Sequence, residues 1–183
     1  RARAVAAQID TAAAREAFAG ARREFQALGD PWGELEVLHD SLWLMAWQGP
    51  TPAIAETARR MQSLAAMLDA APWKLLSEAW LAAGEAQAGK RAASQAIALL
   101  ARHSEALAAT ALAAKARVLL RLLAELQLAT DQPQQALASG REPPSGSALE
   151  DLLWHATLAE AQFCAARNAP DPAPHLREGR RLL

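Results

Sequence analysis

The chain has 183 residues and a formal net charge of −1, from 19 basic and 20 acidic residues interspersed along it. A chain of this length suffices for one domain or one repeat array with a substantial hydrophobic core. The charge balance removes the electrostatic basis for nucleic-acid binding, which depends on a basic stripe that displaces counterions from phosphates. No apolar run approaches the roughly 18–20 residues of a membrane span, and no signal-peptide pattern is present, so we expect no membrane contact.

Residue composition predicts an all-α protein. Alanine and leucine supply 48 and 28 residues, whereas valine and isoleucine, which strands favour, supply only three each. The single cysteine, Cys164, cannot form an internal disulfide, which predicts a reducing, cytoplasmic location. Sixteen arginines against three lysines favour a GC-rich bacterial genome. The first residue is Arg1, already within a helical pattern, so we expect a segment of a longer protein.

Hydrophobic spacing and turn residues predict ten helices. In chain order they cover about residues 1–7, 11–28, 32–47, 52–68, 72–88, 91–101, 104–129, 132–139, 147–167 and 173–183. Side-chain caps are predicted at Asp10, Thr51 and Ser104, and a capping box runs from Ser147 to Glu150. Residues 141–146 are predicted to form the one irregular loop.

The polar breaks between helices recur at a fixed period. Five of them are centred 40, 40, 41 and 40 residues apart, on Asp10, Pro50, Lys90, Asp131 and Asp171. The sequence of residues 28–32 is also echoed by residues 68–73, and the Pro-Trp pairs within them lie 41 residues apart. Such a period predicts an α-solenoid, in which a helical hairpin is stacked on copies of itself. The predicted hairpins of this single array over residues 1–183 cover approximately residues 1–29, 30–70, 71–103, 104–140 and 147–183.

The hairpins resemble tetratricopeptide repeats (TPRs), in which small residues recur because paired helices approach closely where they cross. The first-helix pattern is matched by Trp80, Ala83-Gly84 and Gln87, and by Leu120, Leu123-Ala124 and Gln127. The second-helix pattern is matched by Ala14, Phe18 and Ala21, and in part by Ala96, Leu100 and Ala136. The resemblance implies a right-handed solenoid of about five antiparallel hairpins. A period near 40, rather than the family's usual length of roughly 34, is similar to repeats of bacterial signalling proteins, such as MalT-like transcriptional regulators and cyclases.

No arrangement of residues predicts an active site, a metal site or a cofactor. The histidines share no metal-ligand spacing with one another or with Cys164, and no glycine-rich phosphate-binding loop is present. His39 and Asp40 are neighbours in sequence, but adjacent positions of a helix do not face each other. We therefore predict that the protein is not an enzyme.

The TPR resemblance implies a concave groove lined by the outward stripe of each first helix. Carried over to this chain, that stripe contains Glu36, His39, Trp43, Trp47, Glu78, Leu81, Glu85, Arg121, Glu125, Trp154 and Thr157. Trp43 and Trp47 lie four residues apart on one helix face, away from the apolar stripe of Leu35, Leu38, Leu42 and Met45. The two indoles either line the groove or pack between hairpins. Among the other tryptophans, Trp80 is predicted to lie in the core, and Trp32 and Trp73 to pack on the preceding turns.

Three functions follow from these observations. The leading hypothesis is a protein- or peptide-binding domain of a bacterial cytosolic regulatory protein. In this hypothesis the partner desolvates Trp43 and Trp47, and His39, Arg121 and Glu125 orient it. A second hypothesis is a domain that senses a small-molecule effector and signals to an output domain outside this segment. A third is a structural spacer or homodimerisation module, with the indoles buried between hairpins or subunits.

Overall fold

The computed structural model describes residues 11–48, 51–140 and 148–183. In this part the chain forms nine α-helices and no strand, which confirms the all-α prediction. The helices are α1 (Thr11–Leu28), α2 (Pro31–Gln48), α3 (Pro52–Met67), α4 (Ala71–Gln87), α5 (Ala93–Ala108), α6 (Ala113–Ala129), α7 (Pro133–Ser139), α8 (Ala148–Asn168) and α9 (Ala173–Leu182). None of these helices combines the length and apolar character that crossing a membrane requires. The predicted helix over 1–7, the breaks at Asp10 and Pro50, the loop over 141–146 and the Ser147 cap lie outside the described residues.

Four helices end in the same backbone turn. One or two residues past the helix end, φ is positive, with values of 65°, 49°, 68° and 58° at Gly29, Asp69, Gly89 and Asp131, respectively. After α1, the amide of Asp30 donates to the carbonyl of Phe25 at 2.9 Å, and after α3 the amide of Ala70 donates to the carbonyl of Ala65 at the same distance. These bonds satisfy carbonyls that a helix end leaves without a partner. The sequence echo between residues 28–32 and 68–73 is therefore also a repeat of local structure.

One predicted break is wrong. The sequence suggested a helix end at Ala101 and a cap at Ser104, but α5 continues through both positions to Ala108. Ser104 instead donates its hydroxyl to the carbonyl of Ala101 at 2.9 Å, a bond that accommodates serine inside a helix. The actual break follows Ala108, where the hydroxyl of Thr110 accepts a hydrogen bond from the amide of Leu112 at 3.1 Å. The turn between the predicted third and fourth hairpins therefore lies later in the chain.

Backbone contacts divide the chain into two compact units, the first ending at Ala96 and the second beginning at Ile97, within α5. In the first unit, α1 packs on α2, α2 on α3, and α3 on α4. In the second unit, α6, α7, α8 and α9 also pack in succession, and α6 contacts α8 as well. Pairing of consecutive helices is the local arrangement that the repeat pattern predicts.

The core of the first unit confirms several sequence predictions. Leu35, Leu38 and Leu42 of α2 are fully buried or nearly so, and Trp80 of α4 is fully buried. Gly84 of α4 lies where α4 crosses α3. A Cβ added there would lie 2.8 Å from Cγ2 of Ile54, so the two helices approach closely because residue 84 has no side chain.

Candidate functional site

Helix α2 has one exposed side, and two tryptophans lie on it. Leu35, Leu38 and Leu42 of this helix are buried, whereas Trp32, Glu36 and Asp40 are exposed and Trp43 is half-buried. These four residues recur at spacings of four, four and three, so they share one side of the helix. We call Trp32, Glu36, Asp40 and Trp43 the tryptophan face. Trp47 continues this series by its position in α2, but its side chain lies outside what the structure describes.

The two tryptophans that follow a proline have different environments. Trp73 is buried and its ring contacts that of His39 in α2, and its predicted packing on the preceding turn stays a prediction. Trp32 keeps 49% of its surface exposed, although the same packing was predicted for it. The sequence therefore missed Trp32 as a member of the exposed side, and the signal that could have found it was its spacing of four residues from Glu36.

His39 lies behind the tryptophan face and is only 5% exposed. Its ring packs edge-on against the rings of Trp73 and Trp80, with centroids 6.2 Å away in both pairs. Its Nδ1 lies 3.2 Å from Oδ1 of Asp40, so the expectation that these neighbours would not meet is wrong. His39 therefore joins α2 to α4 and orients a carboxylate of the tryptophan face, and it cannot reach a partner from this position.

Four other predicted groove residues lie in the second unit, and three of them, Arg121, Trp154 and Thr157, are buried, whereas Glu125 is half-buried. Arg121 is 1% exposed and Trp154 is 2% exposed, which corrects the expectation that they line an open surface. Arg121 donates from Nε to Glu150 at 2.7 Å and from Nη1 to Glu125 at 2.6 Å. Burial raises the pKa of Glu125, although Arg121 acts in the opposite direction. The structure gives Arg121 and Trp154 a packing role, and their partner-binding role, like that of Glu125, stays a prediction.

A buried carboxylate that the sequence analysis missed joins the first three helices. Glu34, in the first turn of α2, is nearly fully buried. Arg60 of α3 donates to its two carboxylate oxygens at 3.1 and 2.9 Å, Gln26 of α1 donates at 2.7 Å, and Nε of Arg22 donates at 3.2 Å. Burial favours the neutral acid, but these hydrogen bonds outweigh it and hold the pKa of Glu34 below its usual range. The only sequence signal was an acidic residue beside the core position Leu35.

A partly open cavity of about 230 Å³ lies between α1, α2 and α3. Its lining residues are Arg15, Phe18, Ala19, Arg22, Leu38, Ser41, Leu44, Met45 and Thr57. Leu38, Ser41 and Met45 lie on roughly the opposite side of α2 from the tryptophan face, because helical positions repeat every 3.6 residues. The first unit therefore offers two separate surfaces, an exposed aromatic one and a recessed one.

The described residues contain no group of three histidine, cysteine, aspartate or glutamate side chains that could hold a metal ion. Cys164 is half-buried, and Nη2 of Arg167 lies 3.2 Å from its sulfur. We also compared the chain with protein-family models, with curated proteins and with solved structures. None of them matches it.

Proposed function

We propose that this chain is a TPR-like helical-repeat module of the α-solenoid type, from a bacterial cytoplasmic regulatory protein, that binds a protein or peptide segment. The observation that carries the proposal is the tryptophan face of α2. Indoles are large apolar groups whose burial is favourable, and tryptophan is typical of the residues that dominate binding at interfaces. Trp32 and Trp43 lie on one side of one helix, so a single extended or helical segment can cover both.

The two carboxylates between the indoles indicate the chemistry of the partner. Glu36 and Asp40 separate Trp32 from Trp43 along the exposed side of α2. Carboxylates attract lysine and arginine, and the face of an indole attracts the same cations. The proposed partner is therefore an apolar segment that carries at least one lysine or arginine.

Selection of peptides from a random displayed library on the whole chain tests the proposal. We expect enrichment of peptides that combine apolar residues with lysine or arginine. Trp32→Ala and Trp43→Ala should each weaken their binding at least tenfold, since truncation of a central interface residue costs roughly 2 kcal/mol or more. Leu28→Ala is the matched control, because Leu28 is an apolar residue of the same unit with 78% of its surface exposed. Leu28→Ala should bind the selected peptides with the same affinity as the parent.

Two outcomes would contradict this proposal. If no peptide is enriched, or if both tryptophan variants bind as well as the parent, the tryptophan face does not bind peptides. If the parent sediments as a dimer and Trp43→Ala as a monomer, the face is a homodimer contact instead.

The stability of Trp43→Ala is a further check. Truncation of a half-exposed indole should lower the free energy of unfolding by less than the roughly 3–5 kcal/mol that emptying a packed aromatic site costs. Trp80→Ala provides the reference value for such a packed site. A loss of about 3 kcal/mol or more for Trp43→Ala in urea unfolding would assign the indole to the core.

A second candidate function, sensing of a small-molecule effector, is favoured by a different observation. The cavity between α1, α2 and α3 has an apolar floor and two arginines in its wall. Ligand sites of proteins are typically concave and mostly apolar, with a few polar groups that orient the ligand.

A further inference from the structure

The cavity of the first unit exists because α1 and α2 pack closely at one end and not in the middle. At the close end, a Cβ added to Gly33 would clash with the ring of Phe25. Further along the pair, the small residues Ala19 and Ser41 face the cavity, and they leave the space of about 230 Å³ unfilled. Phe18, Met45 and the buried Leu38 and Leu44 are the large apolar residues of its lining.

The wall contributed by α1 carries two guanidinium groups. Arg15 and Arg22 lie seven residues apart, two turns of the helix and about 10 Å along it. Arg15 donates to the side chain of Gln48, whereas Arg22 uses Nε for its bond to Glu34. Among the described residues, the Nη groups of Arg22 make no hydrogen bond or ion pair. They are therefore available to a ligand in the cavity.

The charges around Glu34 also favour an anion. Arg22 and Arg60 together carry two positive charges, and Glu34 supplies a single negative charge between them. An anion bound at the Nη groups of Arg22 would balance the remaining charge in a partly desolvated site, where such pairing is stronger than in bulk water.

We propose that this cavity binds a small amphiphilic monocarboxylate, with its carboxylate on Arg22 and its apolar tail against Phe18, Leu38 and Leu44. An apolar cavity of roughly 150 Å³ holds a benzene molecule, so the larger cavity here suits a tail of about six to eight carbons. The site does not depend on the proposed peptide-binding function, because it lies on roughly the opposite side of α2 from the tryptophan face.

Isothermal titration of the whole chain with three eight-carbon probes tests the head group: octanoate, octanol and octylammonium. Octanoate should bind with saturation below ~10 mM, and octanol at least tenfold more weakly, because a charge-assisted hydrogen bond to the ligand contributes about that factor. Octylammonium should not bind. Equal affinity for octanoate and octanol, or no saturable binding of octanoate, would overturn the proposal.

Variants then locate the site. Arg22→Gln should weaken octanoate binding at least tenfold and leave octanol binding unchanged, whereas Arg23→Gln, on an exposed position of the same helix, should bind octanoate like the parent. Ala19→Leu fills the cavity and should abolish binding of both probes without removing any charge. Octanoate affinity that survives Ala19→Leu would exclude this cavity, even if Arg22→Gln perturbs the fold. Trp43→Ala should leave octanoate binding intact, which separates this test from that of the peptide-binding face.

Discussion

The same substitution at two glycines of the first unit should have different effects on stability. Gly20 lies inside α1, and nothing would lie within 4 Å of a Cβ added there. Gly84 lies inside α4, and an added Cβ would lie 2.8 Å from Cγ2 of Ile54 and 3.0 Å from the backbone nitrogen of Ala55. Replacing either glycine by alanine removes the same conformational freedom of the unfolded chain. Only Gly84→Ala must also move α3 away from α4.

The magnitudes follow from these two effects. Alanine is better than glycine inside a helix by about 0.8–1 kcal/mol, so Gly20→Ala should stabilise by about that amount. At Gly84 the two helices must separate by about 0.6 Å to restore an ordinary 3.4 Å contact. Neither the β-branched Ile54 nor a backbone nitrogen can turn aside, and overpacking of this kind costs roughly 1–3 kcal/mol. Gly84→Ala should therefore be about 1–3 kcal/mol less stable than Gly20→Ala, since the helix term cancels in the comparison.

Urea unfolding followed by tryptophan fluorescence measures this difference. Five of the six tryptophans precede residue 97, so the fluorescence reports mainly on the first unit, which contains both glycines. Gly84→Leu adds three more carbons at the crossing and should be more disruptive than Gly84→Ala. If the two alanine variants are equally stable, or if Gly84→Leu unfolds like the parent, then α3 and α4 do not cross at Gly84 and the assigned hairpin register is wrong.

Two further predictions concern buried charge. Arg121→Met removes the buried cation that pairs with Glu125 and Glu150, and this should lower the free energy of unfolding by about 3–5 kcal/mol. Urea unfolding followed by circular dichroism measures the loss. A loss below ~1 kcal/mol would show that Arg121 is not required to neutralise these carboxylates. Acidification should change the contributions of Glu34 and Glu125 to stability in opposite directions. The pKa of Glu34 lies below the usual 4.5, so its stabilisation is present above pH 4.5 and is lost as the pH falls through the lower folded pKa, and Glu34→Gln should remove that loss. The pKa of Glu125 lies above 4.5, so burial of its charged carboxylate destabilises the fold at neutral pH. This destabilisation is relieved as the pH falls through the raised pKa of Glu125. If Glu125→Gln and the parent depend on pH identically in acid, this reasoning is contradicted.

Helix ends were predictable from the sequence where the backbone itself requires a particular residue. Gly29 is followed by Pro31, and the pair marks both the left-handed residue that ends α1 and the first residue of α2. Thr51 was predicted as a cap, and its hydroxyl accepts a hydrogen bond from the amide of Ala53 at 3.4 Å. These signals depend only on neighbouring residues, so they indicate helix ends without any knowledge of tertiary packing.

The break between α5 and α6 was not predictable in the same way. Ser104 has the chemistry of a cap, but a serine can also return its hydroxyl to a carbonyl of the same helix, and here it does so. The choice depends on His103 and Leu107, which are buried in a continuing helix. Burial is a tertiary property, and it overrode a local preference.

Part of the candidate site was predictable from the helical periodicity of α2. Spacing along α2 correctly separated Trp43 and Glu36 from the core stripe, because helical periodicity assigns sides without any knowledge of packing. It could not distinguish the exposed side from its edge, where His39 is covered by Trp73 and Trp80 of another helix. The cavity is the space that the small residues Ala19 of α1 and Ser41 of α2 leave unfilled, and no pattern within a single helix indicates it.

The contrast among the tryptophans is the strongest argument that the exposed side of α2 has a role in binding. The fold buries Trp73, Trp80 and Trp154 almost completely, so this chain accommodates indoles in its core in both units. Trp32 is exposed and Trp43 is half-buried, and the two lie on one side of α2 with acidic residues between them. A helix needs only one apolar side to join a core, and leucine or alanine would serve on the other side without exposing an indole to water. The proposed contact with a partner would account for the exposure of both tryptophans, and the peptide selection and the sedimentation measurement distinguish a foreign segment from a second copy of the chain.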